Sequence, residues 1–183
     1  MRDDRKPRPR PPLTPEKLHE LALAYVGRFA TTRAKLRTYL GRKVRERGWD
    51  DGPAPDIASI VERFAAQGYV DDAAYALSKS RSLTGRGYGV RRVEQSLRTA
   101  GVEEADAAPA RDHAKADCVE AALRFAERRR LGPFASEPAD RKGRERALAT
   151  MIRAGHGFGL ARAIVDLPPG ADINLVELSE NYG

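Results

Sequence analysis

The 183-residue chain has a single cysteine, a single tryptophan and two methionines, and nowhere does an apolar run approach the ~20 residues that a membrane helix needs. With Cys118 alone, an intrachain disulfide and a thiolate metal cluster are both excluded. His19, His113 and His156 are the only histidines, and they lie far apart in sequence. No HExxH or paired-histidine spacing exists, and no Ser/His/Asp or Cys/His set assembles, so no metal, no cofactor and no catalytic residue is expected. The β-branched and aromatic runs that mark strands are missing. Met1–Pro12 is basic and proline-rich without an apolar segment, so it does not read as a secretory signal. Together with the cysteine usage, this predicts a cytoplasmic protein. Leu, Ile, Val and Phe number 36, just under 20% of the chain, which allows only a thin core.

Alanine and arginine fill the space. The 29 alanines favour helices that pack closely on little apolar area, so the expected fold is all-α with frayed ends. Arginine outnumbers lysine 26 to 7, the net charge is +7 and the pI is about 9.8. Arginine forks bind phosphate and carboxylate bidentately and stack on planar groups. Basic and acidic blocks alternate along the sequence and end in residues 166–183, which carry −4. A protein of three units, each with one basic and one acidic edge, would produce that alternation.

Hydrophobic periodicity predicts nine helices in three triplets. Thr14-Pro15 can cap and start the first, whose stripe runs Leu18, Leu21, Ala22, Tyr25 and Phe29. Thr31 or Thr32 opens the second, with Leu36, Leu40 and Val44 inside and Gly48 as its stop. Ile57, Ile60, Val61 and Phe64 mark the third, ended by Gly68, with Tyr69 and Val70 folding back. Asp71-Asp72 reads as a helix start rather than a metal pair. The helix that follows runs to about Leu83, and Thr84–Gly89 reads as a loop. Val90, Val93 and Leu97 mark the next helix, and Gly101-Val102 repeats the Gly68 stop. A short acidic helix follows, which Pro109 is expected to break or restart. The third triplet carries Val119, Ala122, Leu123 and Ala126, then Leu148, Met151 and Ile152, then Phe158 to Val165. Residues 1–13 read as a disordered basic arm, 14–70, 71–113 and 114–166 as three-helix repeats, and 167–183 as a mobile acidic tail. Tyr25, Tyr69 and Tyr75 are expected in the core with wet hydroxyls, and Cys118 as a small core residue.

Three runs carry a family resemblance. Gly68-Tyr69-Val70-Asp71-Asp72-Ala73-Ala74-Tyr75-Ala76 is similar to the junction between the first and second repeats of the RecX family, bacterial regulators of the RecA recombinase. Arg81 through Gly89, followed by Val93, Leu97 and Gly101-Val102, resembles that family's second repeat. Met151-Ile152-Arg153-Ala154-Gly155-His156-Gly157-Phe158 resembles its closing turn, with two extra residues before Phe158. The resemblance spans about Leu18 to Val165. It implies three tandem three-helix repeats, helix-turn-helix-like, in an elongated curved array. It also implies docking in the groove of the RecA–DNA filament, with damping of ATPase, strand exchange and coprotease activity.

The residues themselves offer a strip of cations for such a polyanionic surface: Arg33, Lys35, Arg37, Arg42, Lys43, Arg91, Arg92, Arg98, Arg141, Lys142 and Arg144. Ordinary solubilising charge is the competing account of each. Arg45, Arg47 and Arg128-Arg129-Arg130 sit at helix ends, where the helix dipole explains them equally well. The Gly-rich segments 85–89 and 155–159 lack the strand and Gly-Lys-Ser/Thr of a phosphate loop, and read as turns. The leading expectation is a non-enzymatic, monomeric regulator of the RecA nucleoprotein filament. Its rivals are a sequence-blind module for single- or double-stranded DNA, in which Gln95 is the one good base-reading candidate, and a scaffold for an acidic protein. The roles of the basic arm and the acidic tail stay open, one option being that they pair and mask the strip.

Overall fold

The computed structural model describes residues 11–50 and 52–182, and over these the chain is all-α. The helices are α1 (Pro15–Val26), α2 (Arg33–Arg47), α3 (Ile57–Ala66), α4 (Asp72–Gly85), α5 (Val90–Thr99), α6 (Glu104–Ala116), α7 (Cys118–Arg129), α8 (Arg141–Arg153), α9 (Phe158–Val165) and α10 (Leu175–Tyr182), with a 3-10 turn at Gly132–Phe134. The chain divides into two compact units, Met1–Asp71 and Asp72–Gly183.

In the first unit, Leu18 and Ala22 of α1, Leu36 and Leu40 of α2, and Val61 and Phe64 of α3 share one core, closed by Val70. Hydroxyl caps start the helices: Thr14 accepts the Lys17 N–H and Thr32 the Lys35 N–H, at 3.4 and 3.2 Å. Leu13 also belongs to this core. It is fully buried and pairs as a short parallel bridge with Trp49. The expected arm of residues 1–13 thus includes a core residue, because one leucine beside a buried edge outweighs its proline-rich neighbours. Residues 1–10 of that arm lie outside the described residues.

In the second unit, α4, α5 and α6 enclose a core of Ala76, Leu83, Val93, Leu97, Ala107, Ala110 and Ala114. A second core forms on Val119, Ala122, Phe125 and Ala126 of α7, Met151 of α8, and Leu160, Ala161 and Ile164 of α9. Tyr88 and Val90 pack against both. Four of the seven buried positions around α4–α6 are alanine, the others being two leucines and a valine, which is how so few large side chains suffice.

The same stop closes α3, α5 and α8. A glycine at Gly68, Gly101 or Gly155 adopts positive φ. The next amide then bonds back across the last turn: Tyr69 to Phe64, Val102 to Leu97 and His156 to Met151, at 2.9, 3.1 and 3.2 Å.

Several expectations fail in detail. Helix α1 ends at Val26, and Phe29 is exposed rather than on the inner face. Tyr69 is exposed too, lying against Phe64 with ring centroids 5.5 Å apart instead of entering the core. Helix α4 extends through Gly85, beyond the expected loop boundary. Pro109 does not break α6, which runs unbroken for 13 residues. Packing of the alanine face against α4 overrides the lost backbone bond. The acidic tail is not free: its residues form α10, which packs on α7 and α9.

Candidate functional site

Four of the candidate cations of the first unit stand beside carboxylates. Arg33 Nε lies 3.9 Å and Arg37 Nη2 3.7 Å from the Glu62 carboxylate on α3. Arg42 and Lys43 share Glu46 at 2.7 and 3.0 Å. Hydrogen bonds from Lys43 and then Arg42 hold the Glu46 carboxyl below its ordinary value. Both cations also lie over the Tyr39 ring, at 5.6 and 5.8 Å, and Tyr25 stacks on Tyr39 at 4.2 Å. Lys35, half-buried, stands in the first turn of α2.

The second unit is different. Arg91, Arg92 and Arg98 are exposed on α5. Arg92 donates to the Gln95 side chain at 3.1 Å and lies 6.0 Å from the Tyr88 ring centroid. Arg86 flanks the same ring at 5.6 Å. Arg128 donates to the Arg86 carbonyl. Arg128 and Arg129 in turn lie over Phe125, at 5.5 and 5.8 Å. Arginines from the end of α4, the start of α5 and the end of α7 thus gather around Tyr88 and Phe125. Among the described residues, none of Arg86, Arg91, Arg92, Arg98, Arg128 and Arg129 forms an ion pair with a carboxylate.

Three close approaches hold this cluster together. A Cβ on Gly89 would lie 2.4 Å from the Gly155 carbonyl, and the Gly89 N–H donates to the Ala154 carbonyl at 3.0 Å. The Arg91 N–H donates to the Gly155 carbonyl at 3.2 Å. His156, 1% exposed, places Nε2 3.1 Å from the Gly87 carbonyl and its ring 5.4 Å from Phe125. A carbonyl only accepts, so Nε2 carries the proton; Nδ1 is buried without a partner. Burial pushes this imidazole down to about 4, outweighing the upward pull of the Gly87 bond.

On α8, Asp140 caps the first turn by accepting the Gly143 N–H at 2.6 Å. Arg141 pairs with Glu145 at 3.0 Å and Arg144 donates to the Ala139 carbonyl at 3.0 Å. Lys142 is exposed there without an ion pair among the described residues. The fold brings Arg91, Arg92 and Arg98 onto one helix, while Arg33, Arg37, Arg42 and Lys43 are bound up locally. It adds Arg86 and Arg128, which the sequence pattern assigns to a turn and a helix end. The available signal was Arg86-Gly87-Tyr88-Gly89-Val90-Arg91-Arg92, an aromatic bracketed by cations.

A polar cleft of about 450 Å³ lies where α4, α6 and α7 meet, lined by Arg81, Thr84, His113, Asp117 and Arg124 among others. Arg124 grips both Asp117 oxygens, at 2.8 and 2.7 Å. Burial works to raise the Asp117 carboxyl, but bonds from Thr84 and Arg124 hold it below its ordinary value. The pair is closed on itself. Among the described residues no group of three or more His, Cys, Asp or Glu side chains is placed to hold a metal ion, and no helix is long and apolar enough to cross a membrane.

Comparison with known proteins is specific. Residues 71–110 match the family model described as "RecX, second three-helix domain". The chain is 34% identical over 165 residues to "Regulatory protein RecX" of Myxococcus xanthus (strain DK1622), covering 86% of this chain and 88% of that protein. It is also 34% identical over 149 residues to the protein of the same name from Acidithiobacillus ferrooxidans (strain ATCC 53993 / BNL-5-31), covering 80% and 87%. A crystal structure of RecX from Lactobacillus salivarius superposes with a TM-score of 0.66 at 19% identity, covering 82% of this chain and 93% of that one. At that identity the match speaks for the fold.

Proposed function

The chain belongs to the RecX family of regulatory proteins, and from that premise we propose that it is a non-enzymatic, cytoplasmic regulator that binds the RecA–DNA filament and damps its ATPase, strand exchange and coprotease activity. The observation that carries this is the arginine cluster of the second unit, which is free of internal carboxylates and backed by Tyr88 and Phe125. Such guanidinium groups are available to phosphates or to the acidic surface of a filament. Residues 14–70, 71–113 and 114–166 act as three repeats of one monomer. Each contributes a weak contact, so a filament that offers many equivalent positions is bound more tightly than any isolated site.

RecA ATP hydrolysis on single-stranded DNA, titrated with this protein at two salt concentrations, tests the reading. Inhibition well below one molecule per RecA protomer is expected, weakening with salt. Tight binding to naked DNA without inhibition would overturn it and promote the second reading, a sequence-blind DNA-binding helical module. One observation favours that alternative: the exposed α5 face carries Arg91, Arg92 and Arg98, which suit phosphates, and a single amide side chain, Gln95, for adenine-type base edges.

A further inference from the structure

After Arg162 the sequence has no Lys or Arg and four carboxylates, Asp166, Asp172, Glu177 and Glu180. Its last helix, α10, has eight residues, and none of them is buried. A helix that short has little stability of its own in water, so its docking on the rest of the unit keeps it formed.

That docking is thin. Leu178 packs partly buried against the core of α7, α8 and α9. The Tyr182 ring lies over Gly159 of α9, so close that a Cβ there would sit 2.7 Å from it. The Cys118 thiol donates to the Tyr182 carbonyl at 3.3 Å. Leu175 and Val176 remain exposed. Tyr182 and Cys118 form part of the wall of a cleft of about 370 Å³ whose other sides include Arg91, Glu94, Lys115 and Leu160. Arg91 belongs to the arginine face described above. Neither Arg91 nor Lys115 has an ion pair among the described residues. The docked tail, all of whose charges are carboxylates, thus reaches the cleft that Arg91 lines through Tyr182, and the carboxylate lining that cleft beside Arg91 and Lys115 is Glu94 of α5. Glu180 stands two residues before Tyr182 in α10, and fixed charges act on one another over a screening length of about 8 Å at physiological salt.

We propose that α10 is a displaceable acidic flap, which when docked screens the Arg91 side of the arginine face and when lifted opens it to a polyanion. The proposal rests on the polyanion-binding reading of that face. A nucleic acid competes with the flap electrostatically, and the small apolar contact at Leu178 and Tyr182 lets it win.

Cys118 is the only thiol in the chain and lies under the Tyr182 carbonyl, so its reaction rate with a colorimetric disulfide reagent reports on flap opening. The test uses the full chain and three variants. Gly159→Ala places a methyl where the Tyr182 ring rests while keeping α9 intact; Tyr182→Ala removes the anchor, which is outside every core; Glu177→Gln/Glu180→Gln removes charge only. Each is assayed for thiol reactivity and for affinity to a short single-stranded oligonucleotide.

Gly159→Ala and Tyr182→Ala should raise both the thiol rate and the affinity several-fold. The Gln pair should raise affinity with little change in thiol rate. Saturating oligonucleotide should speed the thiol reaction of the unaltered chain. Equal oligonucleotide affinity in all four proteins would overturn the flap and leave polyanion binding standing. Unchanged thiol rates in Gly159→Ala and Tyr182→Ala would overturn it too. No oligonucleotide binding even with the flap released would bring down the polyanion reading, and the flap with it.

Discussion

His156 is the residue on which the second unit's junction turns. Its neutral ring donates to the Gly87 carbonyl inside the fold, and its value is pushed down to about 4 from an ordinary 6.5. The unfolded chain therefore binds a proton that the folded chain refuses anywhere between those two values. The stability this gives is fully present above about pH 6.5 and is lost as pH falls toward 4, amounting to about 3 kcal/mol at most. Denaturant midpoints measured from pH 7 down to pH 5, above the carboxylate range, should fall accordingly. His156→Gln, which keeps a donor for Gly87 but cannot titrate, should flatten that dependence; an unchanged slope would mean that the ring is not the titrating group. Gly89 makes a second prediction at this scale. Its methyl would enter the Gly155 peptide, so Gly89→Ala should destabilise by about 3 kcal/mol or more in chemical denaturation. Gly85→Ala, with nothing within 4 Å, should cost nothing and gain a few tenths. Neither role was legible in the sequence. A glycine pattern tells that a chain turns, whereas what a missing methyl makes room for, 66 residues away, is a tertiary fact.

At the scale of elements, local chemistry was read well wherever a residue acts on its own neighbours. Thr32 and Gly48 bound α2 as expected, and the Gly68 and Gly101 stops recur with the same backbone bonds. Phe158 to Val165 forms α9 over the expected residues. Two of the misses, Pro109 and the tail, share one cause, which is burial against another element. Pro109 is a breaker by local rules, yet α6 lays Ala107, Ala110 and Ala114 into the α4–α6 core and continues through it. The proline still lacks an amide for the α6 ladder and is exposed. Pro109→Ala should therefore stabilise the protein by about 1 kcal/mol or more, read as a higher thermal midpoint. A fall would mean that the ring's restriction of the unfolded chain outweighs its lost bond. The tail was misread for the same reason: four carboxylates argued for solvent, while Leu178 and Tyr182 found a surface that only the folded α7 and α9 provide.

For the whole molecule, net charge predicts attraction to polyanions but not which cations deliver it. The basic strip could be picked out along the sequence. Its division into paired and open members could not, because Glu62 and Glu46 become partners only when helices assemble or complete a turn. A partner that recruits Arg33 or Arg37 must first compete with Glu62, so those residues return less binding energy than Arg86 or Arg92. Arg86→Gln/Arg92→Gln should raise the concentration for half-inhibition of RecA ATPase by about tenfold or more, a loss of at least about 1.4 kcal/mol. Arg33→Gln/Arg37→Gln should change it by less than about threefold, or under ~0.7 kcal/mol. Salt separates this from a general loss of charge, since both pairs remove two positive charges. If about six cations replace counterions on single strands, binding should fall with a log–log slope of roughly −4, at ~0.7 per contact. Losing two direct contacts should make that slope shallower by about 1.4, whereas losing Arg33 and Arg37, which share the single charge of Glu62 and make no direct contact in this reading, should leave it nearly unchanged. Equal slopes for the two variants would show that the partner strips Glu62 from its arginines on binding, and would place the first unit's strip in the interface alongside the second unit's cluster.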